Sequence, residues 1–295
     1  MTQEVTNREP EVTPSRGSLE GNKLPSSLTQ VGIIAKYELR NYFRSRRFFI
    51  LLIITFLVTG LLTFILAYFG LSKITSPTST QSLSFYGFWW GFVPTLVVVF
   101  CAVFFGGDAI AGEFQNKTGY FLVGNPIRRS SIYVGKWIAS LIASLIIMGI
   151  YTAITVGNGL YYLGSSIPIQ FVEAIGFSIV YLVAALGFTF LFSSIFKSGA
   201  YSIVVTFILL FFGFTLIDAI VTGFTSIEPW FSLTYASQII TSVFTVPYPS
   251  SAPSTPGSPA TGFVPTIPEG LAIMAIYFIV TSILGLVIFE RKEFN

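Results

Sequence analysis

After about residue 30 the chain alternates between long apolar runs and short polar segments. Six of the apolar runs approach the roughly 20 residues that a helix needs to cross a bilayer. They lie near 48–70, 88–107, 137–162, 171–192, 199–221 and 271–289. Unpaired backbone amides are costly in hydrocarbon, and no alternating ten-residue pattern is present, so the runs predict helices rather than barrel strands. The pattern therefore predicts an all-α integral membrane protein with six transmembrane helices.

The segments outside these runs differ in character. Residues 1–30 are polar, lack aromatic residues and contain three prolines, which predicts a disordered tail rather than a signal peptide. Residues 31–295 then form the membrane domain. Within 223–270, the Pro/Ser/Thr-rich part at 245–268 predicts an extended surface loop. The stretch that opens at Glu228 predicts a short interfacial or re-entrant helix, with an ordinary packed loop as the alternative.

The segment at about 33–47, just before the first run, is amphipathic when drawn on a helical wheel. One narrow arc carries the basic residues Lys36, Arg40, Arg44 and Arg47. The opposite arc carries Ala35, Leu39, Tyr42 and Phe43. Such a helix is suited to lie along the inner membrane surface, with its basic stripe facing anionic headgroups or a cytosolic partner. The alternative is a basic flank that serves only to orient the first span.

The distribution of positive charge predicts the orientation. With six spans, fifteen of the sixteen lysines and arginines fall on one side of the membrane, and Lys73 alone falls on the other. Under the positive-inside rule, both termini are cytoplasmic and the loop within 223–270 is extracellular.

Composition narrows the function classes. The chain is 53% hydrophobic and 10% charged, with a mean hydropathy of +0.77, whereas soluble domains carry about 25% charge. A net charge of +3 gives no sign of nucleic-acid binding. The absence of histidine excludes imidazole metal sites and the histidine-based catalytic triads. The single cysteine, Cys101, lies in an apolar run and is expected to be a buried hydrophobe.

The chain lacks the signature of a nucleotide site. Its one Gly-Lys pair, Gly135-Lys136, has Ser130 where a P-loop needs its first glycine and Trp137 where it needs Ser or Thr. We therefore expect no ATP hydrolysis, no bound cofactor and no metal in this chain. Any ATP-driven work then belongs to another polypeptide.

Few ionisable residues lie inside the predicted spans. Glu173 and Asp218 lie near the outer ends of the fourth and fifth spans, where a solvated helix end is the main interpretation and a role in transport is the alternative. Trp89 and Trp90 lie where an aromatic belt is expected. Small residues recur at close spacing and predict close helix packing. They are Ala139, Ser140, Ala143 and Ser144 on the third span, and Ala184, Ala185 and Gly187 on the fourth.

The cytoplasmic stretch between the second and third spans carries a longer pattern. It runs from Asp108 through Glu113 and Lys117-Thr118 to Pro126-Ile-Arg-Arg129, and it ends at Gly135-Lys136. Together with the basic helix and the span count, this order resembles the type-2 permease family of ATP-binding-cassette (ABC) transporters. In that family a glutamate precedes Gly-Thr, Pro-x-x-Arg and Gly-Lys, so Lys117-Thr118 stands here where Gly-Thr is usual. The resemblance covers residues 31–295.

The resemblance implies a permease domain with an elbow helix, which works as a dimer with two cytosolic ATPase subunits. Residues Glu113, Pro126, Arg129 and Lys136 then belong to the loop that couples to the ATPase, and a helix cap, turn former or lipid anchor is the alternative role for each. Lys36, Arg40 and Arg44 then belong to the elbow helix. ATP and Mg²⁺ are expected on the ATPase partner, and export is the direction that predominates in the family.

The main hypothesis is therefore a permease subunit of an ABC exporter in the cytoplasmic membrane of a prokaryote. Its partners are ATPase subunits, membrane lipids, and a second copy of the chain or a sibling permease, and nucleic acid is not among them. Two alternatives stay open at this point. One is a membrane scaffold that recruits a cytosolic protein without transport, and the other is an ATP-independent carrier.

Overall fold

The computed structural model describes residues 26–70, 80–116, 128–164, 167–225, 227–249 and 263–292. These residues form helices and no strand. The α-helices in chain order are α1 (Ser27–Arg44), α2 (Arg46–Phe69), α3 (Gln81–Trp90), α4 (Val99–Gly106), α5 (Ala111–Gln115), α6 (Arg129–Leu163), α7 (Ile169–Ile195), α8 (Gly199–Ile208), α9 (Phe214–Thr225), α10 (Leu233–Ser237), α11 (Ile239–Ser242) and α12 (Ile267–Arg291). Two π-helical segments, Val93–Val98 and Leu209–Gly213, precede α4 and α9.

Six helical stretches are long and apolar enough to cross a membrane, which confirms the predicted six-span, all-α fold. They are Arg46–Phe69, Gln81–Gln115, Arg129–Leu163, Ile169–Ile195, Gly199–Thr225 and Ile267–Arg291. Several of these helices extend beyond the apolar runs, because the polar residues at the ends of a run continue the same helix. The third span, for example, begins at Arg129 rather than near 137.

The predicted helix at 33–47 is interrupted. Ser45 has an extended backbone (φ −79°, ψ 144°), and its Oγ accepts a hydrogen bond from the Phe48 N–H at 3.4 Å. Serine is a favoured N-cap because its oxygen satisfies a free N–H of the first turn. The chain therefore ends α1 at Arg44 and starts α2 at Arg46. At its other end, α1 begins at Ser27, inside the predicted tail, whereas residues 1–25 lie outside the described residues.

Aromatic side chains fill the core between α3, α6 and α7. Trp89 and Trp90 are completely buried, Trp90 Nε1 donates to Ser178 Oγ at 3.0 Å, and Tyr151 OH donates to the Trp89 carbonyl at 2.6 Å. The belt position predicted for these tryptophans is therefore wrong, because both indoles face protein rather than lipid headgroups.

The small residues on the third and fourth spans lie in close helix contacts, as predicted. Ala139, Ala143, Ala184 and Ala185 are fully buried. A Cβ on Gly187 would lie 2.8 Å from Thr281 Oγ1, so α7 and α12 approach closely there.

The segment between α9 and α12 forms two short helices, α10 and α11, instead of one helix opening at Glu228. Ser232 caps α10 through the Tyr235 N–H at 3.2 Å. Leu233, Ala236 and Ile239 are fully buried. This segment therefore packs on the protein, while residues 250–262 lie outside the described part of the chain.

Candidate functional site

After α4 the chain turns and enters the five-residue helix α5. Residues 108–115, which span this turn and α5, are called the junction segment below. Ser193 of α7 is fully buried, and its Oγ accepts hydrogen bonds from the N–H groups of Ile110 at 2.9 Å and Ala111 at 3.0 Å. One side chain of the fourth span thus satisfies two free N–H groups at the start of α5.

A buried charge cluster joins the junction segment to α1 and α6. The Lys136 Nζ lies 2.8 Å from Glu113 Oε1 and 3.1 Å from Glu38 Oε1. Lys136 is only 4% exposed. A buried ammonium needs opposite charge and hydrogen-bond acceptors, and here two carboxylates supply both. Three helices therefore depend on one another at this point.

The beginning of the junction segment contacts the first and fifth spans. The Asp108 carboxylate forms an ion pair with Arg47 at the start of α2. A Cβ on Gly199, the first residue of α8, would lie 2.9 Å from Asp108 Cβ. Glycine at position 199 is therefore what allows the fifth span to approach Asp108 so closely.

The end of the junction segment contacts the fifth and sixth spans. The Phe114 ring lies edge-on to Phe289 of α12, with centroids 6.3 Å apart, and the Lys292 Nζ lies 4.2 Å from the Phe114 centroid. Gln115 Oε1 accepts a hydrogen bond from the Gly199 N–H at 2.8 Å. Consecutive residues of a helix point in different directions, so Glu113, Phe114 and Gln115 reach three different spans.

Through these contacts the eight-residue junction segment, which closes the second span, touches each of the other five spans. The contacts of all six spans therefore meet at this segment.

A second polar link joins α1 to the bundle. Tyr42 OH donates to the Phe105 carbonyl at 2.9 Å and lies 3.0 Å from Ser140 Oγ. Burial and the nearby Glu38 carboxylate raise the pKa of Tyr42 well above its usual value. The phenol therefore stays protonated and keeps its donor role at physiological pH.

Gly135 explains how α1 comes so close to α6. A Cβ at this position would lie 2.8 Å from Ile34 Cγ2 and 3.1 Å from the Val31 carbonyl oxygen. Gly135 thus allows α1 to approach α6 because it has no side chain. Lys136 then joins α6 to α1 through its ion pair with Glu38.

A polar cavity of about 270 Å³ opens between α1, the start of α2 and the junction segment. Its lining includes three carboxylates and three cations, namely Glu38, Asp108, Glu113, Arg44, Arg47 and Lys136. Asn41 and Asn116 add amide groups that can donate or accept hydrogen bonds. Such a lining suits polar side chains of a second protein. In the described ranges, no group of three or more His, Cys, Asp or Glu side chains could hold a metal ion.

On the other side of the junction segment, two basic residues hold the end of α12. Arg129 Nη1 donates to the carbonyls of Glu290 at 2.8 Å and Lys292 at 3.1 Å. Lys292 Nζ donates to the carbonyls of Ser194, Ile195 and Phe196 at 2.8, 3.1 and 2.7 Å. The three carbonyls that Lys292 reaches lie at the C-terminal end of α7. The last carbonyls of a helix lack N–H partners within it, so a positive charge is favourable there.

The structure divides the residues proposed from sequence into separate groups. Glu113 and Lys136 are in direct contact, whereas Arg129 lies at the α12 end, and Pro126 lies outside the described residues. Lys36, Arg40 and Arg44 are exposed on α1. Arg47 is not on the same helix as these three, because the break at Ser45 places it on α2, where it pairs with Asp108.

Sequence reasoning missed Glu38, Gln115, Ser193 and Lys292 as site residues. Glu38 and Lys136 are separated by 98 residues, as are Lys292 and Ser194. No periodic pattern connects positions so far apart. The available signal was that Glu38 lies outside the basic stripe on the helical wheel, about 40° from Tyr42 and beside the apolar arc.

Six apolar spans held together at one end by a charged junction define a polytopic helical membrane protein. A family model described as ABC-2 family transporter protein matches residues 33–294, and the chain belongs to this family. It is thus a permease subunit of the ABC-2 type, as the resemblance indicated. A search of curated proteins finds no match.

Proposed function

We propose that this permease is the membrane part of an ABC exporter driven by separate cytosolic ATPase subunits, which bind ATP and Mg²⁺. It works as a dimer, either with a second copy or with a sibling permease, in the cytoplasmic membrane of a prokaryote. Both of its termini lie inside. The observation that carries the proposal is the junction segment, which contacts all five other spans beside an open polar cavity.

In this proposal the ATPase docks against α1 and the junction segment. The exposed Lys36, Arg40 and Arg44 of α1 supply positive charge for acidic partner groups or lipid headgroups. Glu113 and Lys136 then transfer movement from the docking surface to α6. Arg129 and the segment around Pro126 complete the loop that the ATPase contacts.

The energetic requirement is that the ATPase interacts differently with the junction in its two nucleotide states, because a ligand shifts an equilibrium only by its differential affinity. Closure of two ATPases would move two junction segments and shift the paired spans between inward-open and outward-open arrangements. The first, fifth and sixth spans have only 28%, 11% and 17% of their apolar windows buried. They leave ample apolar surface for lipids and for the second permease.

Co-purification tests the proposal. The tagged chain is extracted from its native membrane in mild detergent, and the proteins that accompany it are identified and quantified by mass spectrometry. We expect a P-loop ATPase in equal stoichiometry. If no ATPase accompanies the chain, even after crosslinking in intact membranes, the proposal is refuted in favour of a scaffold. Transport by the purified chain alone would indicate an ATP-independent carrier.

A further inference from the structure

We infer that Gln115 is a positioning residue that fastens the first turn of the fifth span to the junction segment, so that α8 follows this segment during the transport cycle. The inference rests on the proposed function, because it assumes that an ATPase moves the junction segment. In addition, the inference specifies how the fifth span follows the movement of the junction segment.

Gln115 makes hydrogen bonds at the start of α8. Gln115 Oε1 accepts from the Gly199 N–H at 2.8 Å and from Ser198 Oγ at 3.4 Å. Ser198 precedes the helix but makes no capping hydrogen bond with its own side chain. The first N–H groups of a helix have no partner within the helix. Gln115 thus supplies from α5 the acceptor that a local cap usually provides.

Close contacts lie on both sides of this hydrogen bond. A Cβ on Gly199 would lie 2.9 Å from Asp108 Cβ, and a Cβ on Gly107 would lie 3.3 Å from Ile203 Cα. The Asp108 carboxylate is also a favourable charge near a helix N-terminus. With no side chain between them, α8 and the residues from Gly107 onward have little room to move independently.

The fifth span is divided into two α-helical parts. The π-helical segment Leu209–Gly213 separates α8 from α9, and such segments often occur at functional sites in helices. The Phe100 ring of α4 packs on Phe207 and Phe211, with centroids 5.5 and 6.3 Å apart. Beyond the π-helical segment, Phe214 packs instead on Phe188 of α7 at 5.5 Å. Thus α8 packs against both the end of the second span and α7, whereas the first residue of α9, Phe214, packs on Phe188 of α7 and Tyr277 of α12.

The test uses three variants of the full chain, each purified with its ATPase and placed in lipid nanodiscs. Gln115→Ala removes the acceptor, whereas Gln115→Glu keeps an acceptor at the same position. Gln81→Ala is the matched control, because Gln81 is also an exposed glutamine and lies at the opposite end of the second span.

A spin label reports on α8 from Tyr201, which is 70% exposed, and in separate samples on α12 from the exposed Arg291. Cys101, the only native cysteine, is replaced by Ala. Electron paramagnetic resonance spectra are recorded without nucleotide and after trapping with ATP and vanadate. In the unmodified permease we expect a nucleotide-dependent change at both labels.

In Gln115→Ala we expect the change at Tyr201 to be lost while the change at Arg291 and the bound ATPase remain. Gln115→Glu and Gln81→Ala should behave like the unmodified chain. The inference is overturned if Gln115→Ala keeps the change at Tyr201, if it loses both changes alike, or if the unmodified complex shows no change at Tyr201. Failure to recover any ATPase is a different result, which refutes the proposed function itself and the inference with it.

Discussion

Lys136 Nζ lies 2.8 Å from Glu113 Oε1, and this contact joins the start of the third span to the helix that closes the second. The same ammonium reaches Glu38 of α1 at 3.1 Å. Neither acidic residue is fully buried, with side chains 18% and 19% exposed, whereas the Lys136 side chain is 5% exposed. The lysine is therefore the member of the cluster that depends most on its partners, and the carboxylates retain access to the adjoining cavity.

Replacing Lys136 with Met should destabilise the protein, because two carboxylates then share a site without a compensating charge. Loss of one partner of a buried ion pair costs about 3 kcal/mol or more, which lowers the melting temperature by about 6 °C or more. Glu38→Gln leaves Lys136 paired with Glu113 and should cost about 1 kcal/mol. Thermal unfolding in detergent measures both effects, and equal losses in the two variants would contradict this account of the cluster.

Reversing the charge of Arg129 should leave membrane insertion intact but uncouple ATP hydrolysis from movement of the spans. In Arg129→Glu a carboxylate would face the carbonyls of Glu290 and Lys292, which now accept from the guanidinium. In the unmodified complex, trapping with ATP and vanadate should raise the melting temperature of the permease, because binding to one state stabilises it. We expect Arg129→Glu to hydrolyse ATP but to lose this increase.

Arg128→Glu is the matched control, since its side chain is exposed and its backbone N–H, which the substitution keeps, donates to Gln30 Oε1 at 3.3 Å. It should retain the increase in melting temperature. A loss in both variants would indicate a general effect of negative charge, and no loss in either would count against a coupling role for Arg129.

Removing the Lys292 ammonium should loosen the ends of α7 and α12. Lys292→Met leaves the carbonyls of Ser194, Ile195 and Phe196 without this donor and also removes the contact with Phe114. We expect a loss of about 1–2 kcal/mol in the free energy of unfolding. The exposed Arg291 provides the comparison, and Arg291→Met should change stability by less than about 0.5 kcal/mol. Equal effects would show that Lys292 has no special role.

The proposed orientation predicts which cysteines a membrane-impermeant maleimide can reach. In whole cells of a Cys101→Ala background, Ser254→Cys in the Pro/Ser/Thr-rich loop should be labelled. Asn295→Cys should be labelled only after the membrane is permeabilised. The unmodified chain should stay unlabelled, because Cys101 is 1% exposed. Labelling of Asn295→Cys in intact cells would contradict the cytoplasmic C-terminus.

The spans could be predicted from sequence because each is a long apolar run, and hydrocarbon allows few structures other than a helix for such a run. The small residues on α6 and α7 were interpreted correctly for a similar reason, since close packing in membranes selects them directly. The burial of Trp89 and Trp90 was not predicted. An indole near a helix end suits either a headgroup belt or a protein core, and the choice depends on which helices surround it.

The site was harder to predict because its contacts are distant in sequence. The helical wheel placed Arg47 with Lys36, Arg40 and Arg44, but one serine cap at Ser45 separates it from them. Glu113 and Lys136 were proposed from a family resemblance, without the knowledge that they touch. Glu38 and Gln115 gained their roles only when the fold placed them beside Lys136 and Gly199.

The central claim is that an ATPase docks beside the junction segment, and site-specific photocrosslinking tests it most directly. The photoreactive residue p-benzoylphenylalanine replaces either Asn41, which lines the cavity, or Phe224, which is 87% exposed at the far end of the fifth span. Cells are irradiated, and the crosslinked products are identified by mass spectrometry. We predict that the Asn41 position captures a P-loop ATPase and that the Phe224 position does not. Absence of an ATPase at Asn41, or equal capture at both positions, would contradict the account.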